Sequence, residues 1–288
     1  MFKLPVSPKK VAWLLLAVII GLSLANLWGQ YYKDFGGNDE FILKIVNKLD
    51  LDLEVNNFPT WYQSSTLLLC SIMLMGIAFI RKNLNDIDSR FWGAMAAIFL
   101  YLSIDEAISI HEQLSVPLRQ SIHAHGPLFF SWVIPASIFL VLLFMVSAKS
   151  MWRLSTTTRW LFIVSGIIYV SGAVGMEMVG ASYYEIHLEG HQTAKDFGYV
   201  LLTTLEEFLE MAGIVLFIFS LLRYLELEAF LPAKEVEQKI SILLTSEISF
   251  SKQNEWMGNT FGRNCKGNIE RKFDPVSNSS PYQTFEQR

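Results

Sequence analysis

Apolar residues gather along this chain in long, nearly unbroken runs, separated by short polar stretches. Six runs reach the roughly 20 residues that cross about 30 Å of hydrocarbon: Val11 to Trp28, Trp61 to Ile80, Phe91 to His111, Leu128 to Ala148, Trp160 to Gly180 and Tyr199 to Leu222. Lipid offers no partner to a backbone N–H or C=O, so each run is expected to be a helix. The predicted fold class is all-α, a polytopic transmembrane bundle of six helices within residues 1–230. From Pro232 onward Asn, Ser, Lys and Glu are scattered among isolated apolar residues. Residues 231–288 therefore read as a polar cytoplasmic tail, largely disordered.

Charge orients the bundle. Lys3, Lys9, Lys10, Arg81, Lys82, Arg90, Lys149, Arg153, Arg159 and Arg223 all fall on one side of the six runs. The opposite loops carry Lys33, Lys44, Lys48, Arg119 and Lys195, fewer charges over more residues. The basic side is expected to be cytoplasmic, with both termini inside and the protein in the cell inner (plasma) membrane. Trp28, Trp61, Trp132, Trp160 and Tyr199 sit near the run ends, where an interfacial aromatic belt belongs. Lys9-Lys10, the first apolar core and Ser23-Leu24-Ala25 also fit a secretory signal with a small-residue cleavage site. The core runs on through Leu27 and Trp28, long for a signal, and is read as an uncleaved anchor. Between the first two runs, Phe41 to Leu49 places apolar residues at helical spacing opposite Lys44 and Lys48, which suits a short helix on the outer surface.

Composition agrees, with 52% hydrophobic and 17% charged residues, beyond what a soluble domain carries. A net charge of -4 without a basic stripe gives no reason to expect nucleic acid. Cys70 and Cys265 form neither a disulfide framework nor a thiolate metal motif.

Within the apolar runs the carboxylates stand out. Asp105, Glu106 and Glu112 lie in Leu102 to Glu112, Glu177 in Gly175 to Gly180, and Glu206, Glu207 and Glu210 in Thr203 to Met211. Those segments contain no Lys or Arg. Ionisable groups at such depth are expensive and usually functional, and their excess charge must be met by protons, bound cations or a partner. At 1.5 Å per residue, Asp105 lies about 21 Å and Glu177 about 26 Å from the inner starts of their helices, and Glu206 and Glu210 lie about 10 to 17 Å below the outer surface. All fall in one slab of the outer half. Helical phase places Asp105, Ser109 and Glu112 on one face, and Thr203, Glu206, Glu207, Glu210 and Gly213 within an arc of about 120°. Gly166, Ala173, Glu177 and Gly180 make a stripe of small residues suited to close helix contact, which Tyr184, His187 and His191 extend if the helix continues.

Carboxylate with imidazole is the ligand set of Zn, Mn and non-haem Fe. With His111 beside Glu112, the candidate metal or proton site is Asp105, Glu106, His111, Glu112, Glu177, Glu206, Glu207 and Glu210, with His187 and His191 as additional ligands. Specific metalloenzyme patterns are absent: neither His111-Glu112 nor Glu185-Ile186-His187 is the Glu-x-x-His of ferritin-like sites, and Glu112 is not followed by the His of a zinc protease. Plainer readings stand beside these, with His111 and Glu112 solvated at the interface, and His123 and His125 as loop residues before Gly126-Pro127.

At Leu102-Ser103-Ile104-Asp105-Glu106, His111-Glu112 and Glu206-Glu207-Phe208-Leu209-Glu210-Met211 the chain resembles a group of uncharacterised bacterial polytopic membrane proteins carrying Leu-Ser-x-Asp-Glu, a His-Glu pair and a later Glu-Glu-x-x-Glu-Met. The resemblance covers about residues 90 to 222 and implies that the acidic helices form a unit. Two functions are expected from these residues: a divalent-metal-dependent membrane enzyme acting on a lipid-like substrate, or a small proton- or cation-coupled transporter. Acids confined to the outer half, without an internal repeat, count against the transporter. A scaffold whose acids are structural is the third class. The expected partners are the lipid bilayer and a small cation or proton.

Overall fold

The computed structural model describes residues 7–36, 39–51, 57–189 and 196–227. His191 and the predicted tail, 231–288, lie outside the described residues. The described chain is helical: α1 (Pro8–Asp34), α2 (Glu40–Leu49), α3 (Phe58–Asn83), α4 (Ser89–Ile108), α5 (Ile110–Ile122), a 3-10 turn (Gly126–Leu128), α6 (Val133–Arg153), α7 (Thr156–Val170), a π-helical turn (Ser171–Met176), α8 (Glu177–His187) and α9 (Phe197–Leu227). Six helical segments are long and apolar enough to cross a membrane, with α7, the π turn and α8 forming one span over Thr156–His187. The chain is a multi-pass membrane protein by this measure.

Local chemistry explains the ends. Pro8 and Pro59 open α1 and α3, where a missing N–H costs nothing. Asp39 caps α2, accepting from Phe41 N at 2.9 Å and Ile42 N at 3.1 Å. The short helix expected between the first two spans is therefore present, and it lies against α1 where Gly29 meets Val46. A Cβ at Gly29 would stand 2.6 Å from Val46 Cγ1.

Two run ends differ from expectation. The third span stops at Ile108, because Ser109 adopts a left-handed conformation (φ 51°) and His111 and Glu112 begin a separate helix, α5. The common face of Asp105, Ser109 and Glu112 is thereby lost, since the helical phase does not continue through Ser109. The fourth span begins at Val133 rather than Leu128, whose backbone closes the 3-10 turn after Pro127.

α9 is the central element, flanked by α1, α3, α7 and the π turn. Lipid is as apolar as a leucine side chain, so tight packing and interhelical hydrogen bonds must hold these helices together. Small residues allow it: a Cβ at Gly213 would lie 2.7 Å from Tyr169 N, and one at Gly172 2.7 Å from Glu206 O. A serine pair joins α3 to α4, with Ser64 Oγ donating to Ser103 O and Ser103 Oγ to Ser64 O, each at 2.8 Å. Asn26 Nδ2 donates to Thr204 Oγ1 at 2.9 Å, joining α1 to α9.

The bundle has chemically distinct halves. Toward the basic end, Leu74, Ile77, Trp92 and Ile218 are at most 2% exposed in one packed cluster. Trp92 lies 4.8 Å from the Tyr224 ring, and Phe99 stacks on Phe217 at 4.7 Å. That end is closed by Arg81, which donates to Tyr224 Oη at 2.9 Å and to Asp86 at 2.8 Å, and by Arg153, which donates to Asp88 at 2.6 Å. Toward the other end the interior becomes polar.

Candidate functional site

The polar half forms around α9, whose Glu206, Glu207 and Glu210 face the π turn, α8, α4 and α3. The π turn carries one residue more per turn than an α-helix, which rotates α8 relative to α7. It turns Gly172 and Ala173 onto α9, where a Cβ on Gly172 would lie 2.9 Å from Glu210 Cγ. Glu177 then begins α8 against Glu206. Of the expected stripe of small residues, Ala173 and Gly180 reach the contact, whereas a Cβ on Gly166 would meet nothing within 4 Å.

The carboxylates meet donors from other helices. Asp105, on the last turn of α4, accepts from the backbone N–H of His111 at 2.9 Å and is hydrogen-bonded to His111 Nδ1 at 2.7 Å. The left-handed break at Ser109 frees the first N–H groups of α5, and Ser109 supplies no side-chain cap; the Asp105 carboxylate takes that role. Trp132 Nε1 donates to Glu177 Oε1 at 2.6 Å, and its ring lies 4.4 Å from the His111 ring. Gln63, on the first turns of α3, donates through Nε2 to Glu210 Oε2 at 2.7 Å and to Glu106 Oε2 at 3.3 Å. The Glu177 and Glu206 carboxyl groups lie beside each other.

Shared partners join these pairs: Gln63 links Glu210 to Glu106, Glu106 adjoins Asp105 in α4, and His111 lies against both Asp105 and the Trp132 ring whose N–H meets Glu177. His111, on α5 beyond the end of the membrane span, lies inside the field of these acids. Burial works against a charge on its ring, but the Asp105 hydrogen bond and the nearby Asp105, Glu177 and Glu106 carboxylates outweigh it and raise its pKa. Glu112 is peripheral, with Oε1 3.9 Å from His111 Nε2.

Eight of the expected site residues thus come together: Asp105, Glu106, His111, Glu112, Glu177, Glu206, Glu207 and Glu210. His187 does not join them; it stacks on Tyr183 at 4.4 Å near the end of α8, exposed. His123 ends α5 in a left-handed conformation. His125 hydrogen-bonds to Glu185 at 2.6 Å, and Glu185 also accepts from Gly126 N, which fastens the 3-10 turn to α8.

Sequence reasoning missed Gln63, Trp132 and Tyr169. Gln63 opens a polar stretch, Gln63-Ser64-Ser65-Thr66, within the second apolar run, and that interruption was a usable signal. Tyr169 packs its backbone against Gly213 of α9, next to the turn that carries Glu210; nothing in its local sequence marks it.

Among the described residues, no group of three or more His, Cys, Asp or Glu side chains is arranged to hold a metal ion. Asp105, Glu106, Glu177 and Glu210 accept from N–H groups instead. The arrangement can store protons or receive a cation that displaces those hydrogen bonds.

No curated protein and no solved structure matches the chain. The model of a family described as a domain of unknown function, DUF8692, matches residues 11–225, from the first span to the last and with every residue of the acid cluster inside it, and the chain belongs to that family.

Proposed function

We propose that this is an inner-membrane protein with its basic end and both termini in the cytoplasm, and that it works as a divalent-metal-dependent enzyme on a lipid-like substrate. The observation that carries the reading is the gathering of buried carboxylates from α4, α8 and α9 in the half of the bundle opposite the basic end, with Glu106 and Glu210 sharing the Gln63 amide and Asp105 bonded to the imidazole of His111. That much like charge in a poorly solvated interior calls for compensating positive charge. A divalent ion supplies it and activates water or polarises a substrate oxygen. In this reading the ion displaces the N–H donors of Gln63 or Trp132 that now occupy the carboxylates.

A neighbouring groove suits a lipid-like substrate. A groove of about 580 Å³ is lined by Lys48, Thr60, Trp61, Ser64 and Ala107. Ser64 and Ala107 are the chain neighbours of Gln63 and Glu106. Such a groove, with an aromatic wall and a lysine at its rim, suits the head region of a lipid.

A proton- or cation-coupled transporter is the second reading. The break at Ser109 and the π turn at Ser171–Met176 favour it, because discontinuous helices line transporter sites. The packed layer of Leu74, Ile77, Trp92 and Ile218 between cluster and basic end weighs against it.

Elemental analysis of detergent-purified protein, wild type beside the Glu206→Gln, Glu210→Gln double variant, tests the proposal. The expected result is about one or two metal ions per chain in the wild type, lost in the variant. Folded, metal-free wild type would overturn the enzyme reading and move the question to proton flux in liposomes.

A further inference from the structure

Between the third and fourth spans, α5 (Ile110–Ile122) is flanked by two single residues with left-handed backbones, Ser109 with φ 51° and His123 with φ 52°. It therefore continues neither the span before it nor the turn after it, and each end is a joint of the kind that absorbs a change in φ and ψ. Little of this helix is packed down. Ser115 is the one buried residue of its thirteen, and Leu114, Val116 and Ile122 are 47, 50 and 51% exposed. Elements with so little buried apolar surface are the first to open. The chain beyond His123 is fixed by contrast. Ala124, Phe129, Ser131 and Val133 are at most 8% exposed, and Glu185 of α8 is hydrogen-bonded to His125 Nδ1 at 2.6 Å and accepts from Gly126 N. The Phe129 and Phe130 rings lie 5.6 and 5.7 Å from that of Tyr184 on α8.

Two side chains of α5 reach back to the bundle. His111 meets Asp105 twice, through its backbone N–H at 2.9 Å and through Nδ1 at 2.7 Å, with its ring 4.4 Å from that of Trp132. Arg119 lays its guanidinium 3.8 Å from the centre of the Phe129 ring, which belongs to the fixed segment. We infer that α5 is a lid on the acid cluster, hinged at Ser109 and His123 and latched by His111 on Asp105 and by Arg119 on Phe129. Rotation at the hinges breaks those contacts, leaves the chain from Ala124 onward in place, and lifts the His111 imidazole away from Asp105. The cluster then has two states. In the closed one the imidazole is seated on Asp105, and in the open one Asp105 is uncovered toward the end of the bundle opposite the basic one. Hydrogen bonds and a cation–π contact are individually modest, so the latch is reversible. Closure of this kind admits a ligand and then excludes water around it. The lid goes beyond the proposed function, because it serves the cluster whichever ligand the acids take.

Carboxyl labelling tests the lid without any metal. Detergent-purified full-length protein carrying Cys70→Ala, Cys265→Ala, Arg119→Cys and Phe129→Cys is treated with a water-soluble carbodiimide and glycinamide, before and after a bis-methanethiosulfonate linker joins the two introduced cysteines. Labelling of Asp105 is read by peptide mass spectrometry against that of exposed Glu40. Linking is expected to lower Asp105 labelling by about fivefold or more, and reduction of the linker to restore it. A surface helix that merely frays would leave Asp105 labelling unchanged on linking, and that result in a protein shown by thermal melting to be folded overturns the inference. Amide hydrogen exchange on the wild type is the second measurement. Residues 110–122 are expected to exchange about tenfold or more faster than residues 124–133. Equal protection of the two segments overturns the lid, even where the cysteine pair does not fold.

Discussion

Gln63 Nε2 and Glu210 Oε2 lie 2.7 Å apart, although 147 positions separate the two residues in the chain. The bond ties the first turns of α3 to the middle of α9, and it typifies how the acids are housed. Asp105 is met by His111 of α5 and Glu177 by Trp132, the residue before α6, so each donor comes from an element other than that of its carboxylate. A cluster wired across helices in this manner depends on the spacing of the whole bundle.

Trp132→Phe keeps an aromatic ring against His111 and removes the N–H that Glu177 accepts. A hydrogen bond to a charged or strongly polar carboxyl group contributes about 1.5–3 kcal/mol. The variant is expected to melt at a lower temperature in detergent by a corresponding margin. An unchanged melting temperature would mean that the 2.6 Å contact is not retained in the folded protein.

Gly172 and Gly166 make a matched pair on the fifth span. A Cβ at Gly172 would meet Glu206 O at 2.7 Å, whereas one at Gly166 would meet nothing within 4 Å. Gly172→Ala is expected to destabilise by about 1–3 kcal/mol, as overpacking does. Gly166→Ala should shift stability by less than about 1 kcal/mol. Thermal denaturation of the two side by side checks the π turn's approach to α9.

Ser109 holds a left-handed backbone with φ 51°. Glycine adopts that conformation without strain, and a β-branched residue does so poorly. Ser109→Gly is expected to match or exceed wild-type thermal stability, and Ser109→Val to fall below it. If Val proves harmless, α4 and α5 are one continuous helix.

Orientation is open to a direct labelling experiment. In a Cys70→Ala, Cys265→Ala background, a cysteine at exposed Ser121 is expected to react with a membrane-impermeant maleimide in intact cells, and one at exposed Asn85 only after lysis. The reverse pattern would place the acid cluster on the cytoplasmic side and overturn the assignment from Lys and Arg.

The residues that found the spans are individually legible because hydrophobicity is additive along a chain. Trp61 to Ile80 and Tyr199 to Leu222 read as spans from composition alone and lie within α3 and α9. The expected depth of Asp105, Glu177 and Glu210 came from the fixed rise of a helix, and the structure places Glu210 beside Glu106, the chain neighbour of Asp105, through the shared Gln63 amide. Phase failed where the backbone left the α-helix. Ser109 breaks the face that Asp105 and Glu112 were expected to share, and the π turn brings Gly172 rather than Gly166 to the contact.

What the sequence determined by itself is the class of solvent each segment tolerates: six apolar spans, a basic edge, and carboxylates at costly depth. Those are properties of single residues and short windows, and helical geometry carries them into three dimensions. Only the tertiary structure decided which donor meets which acid, because the partner of Glu210 comes from Gln63 on another helix and that of Glu177 from Trp132. Hydrogen bonds act over about 3 Å, and at that range the outcome depends on how helices distant in sequence approach each other, which small residues, a left-handed serine and one π-helical turn jointly set.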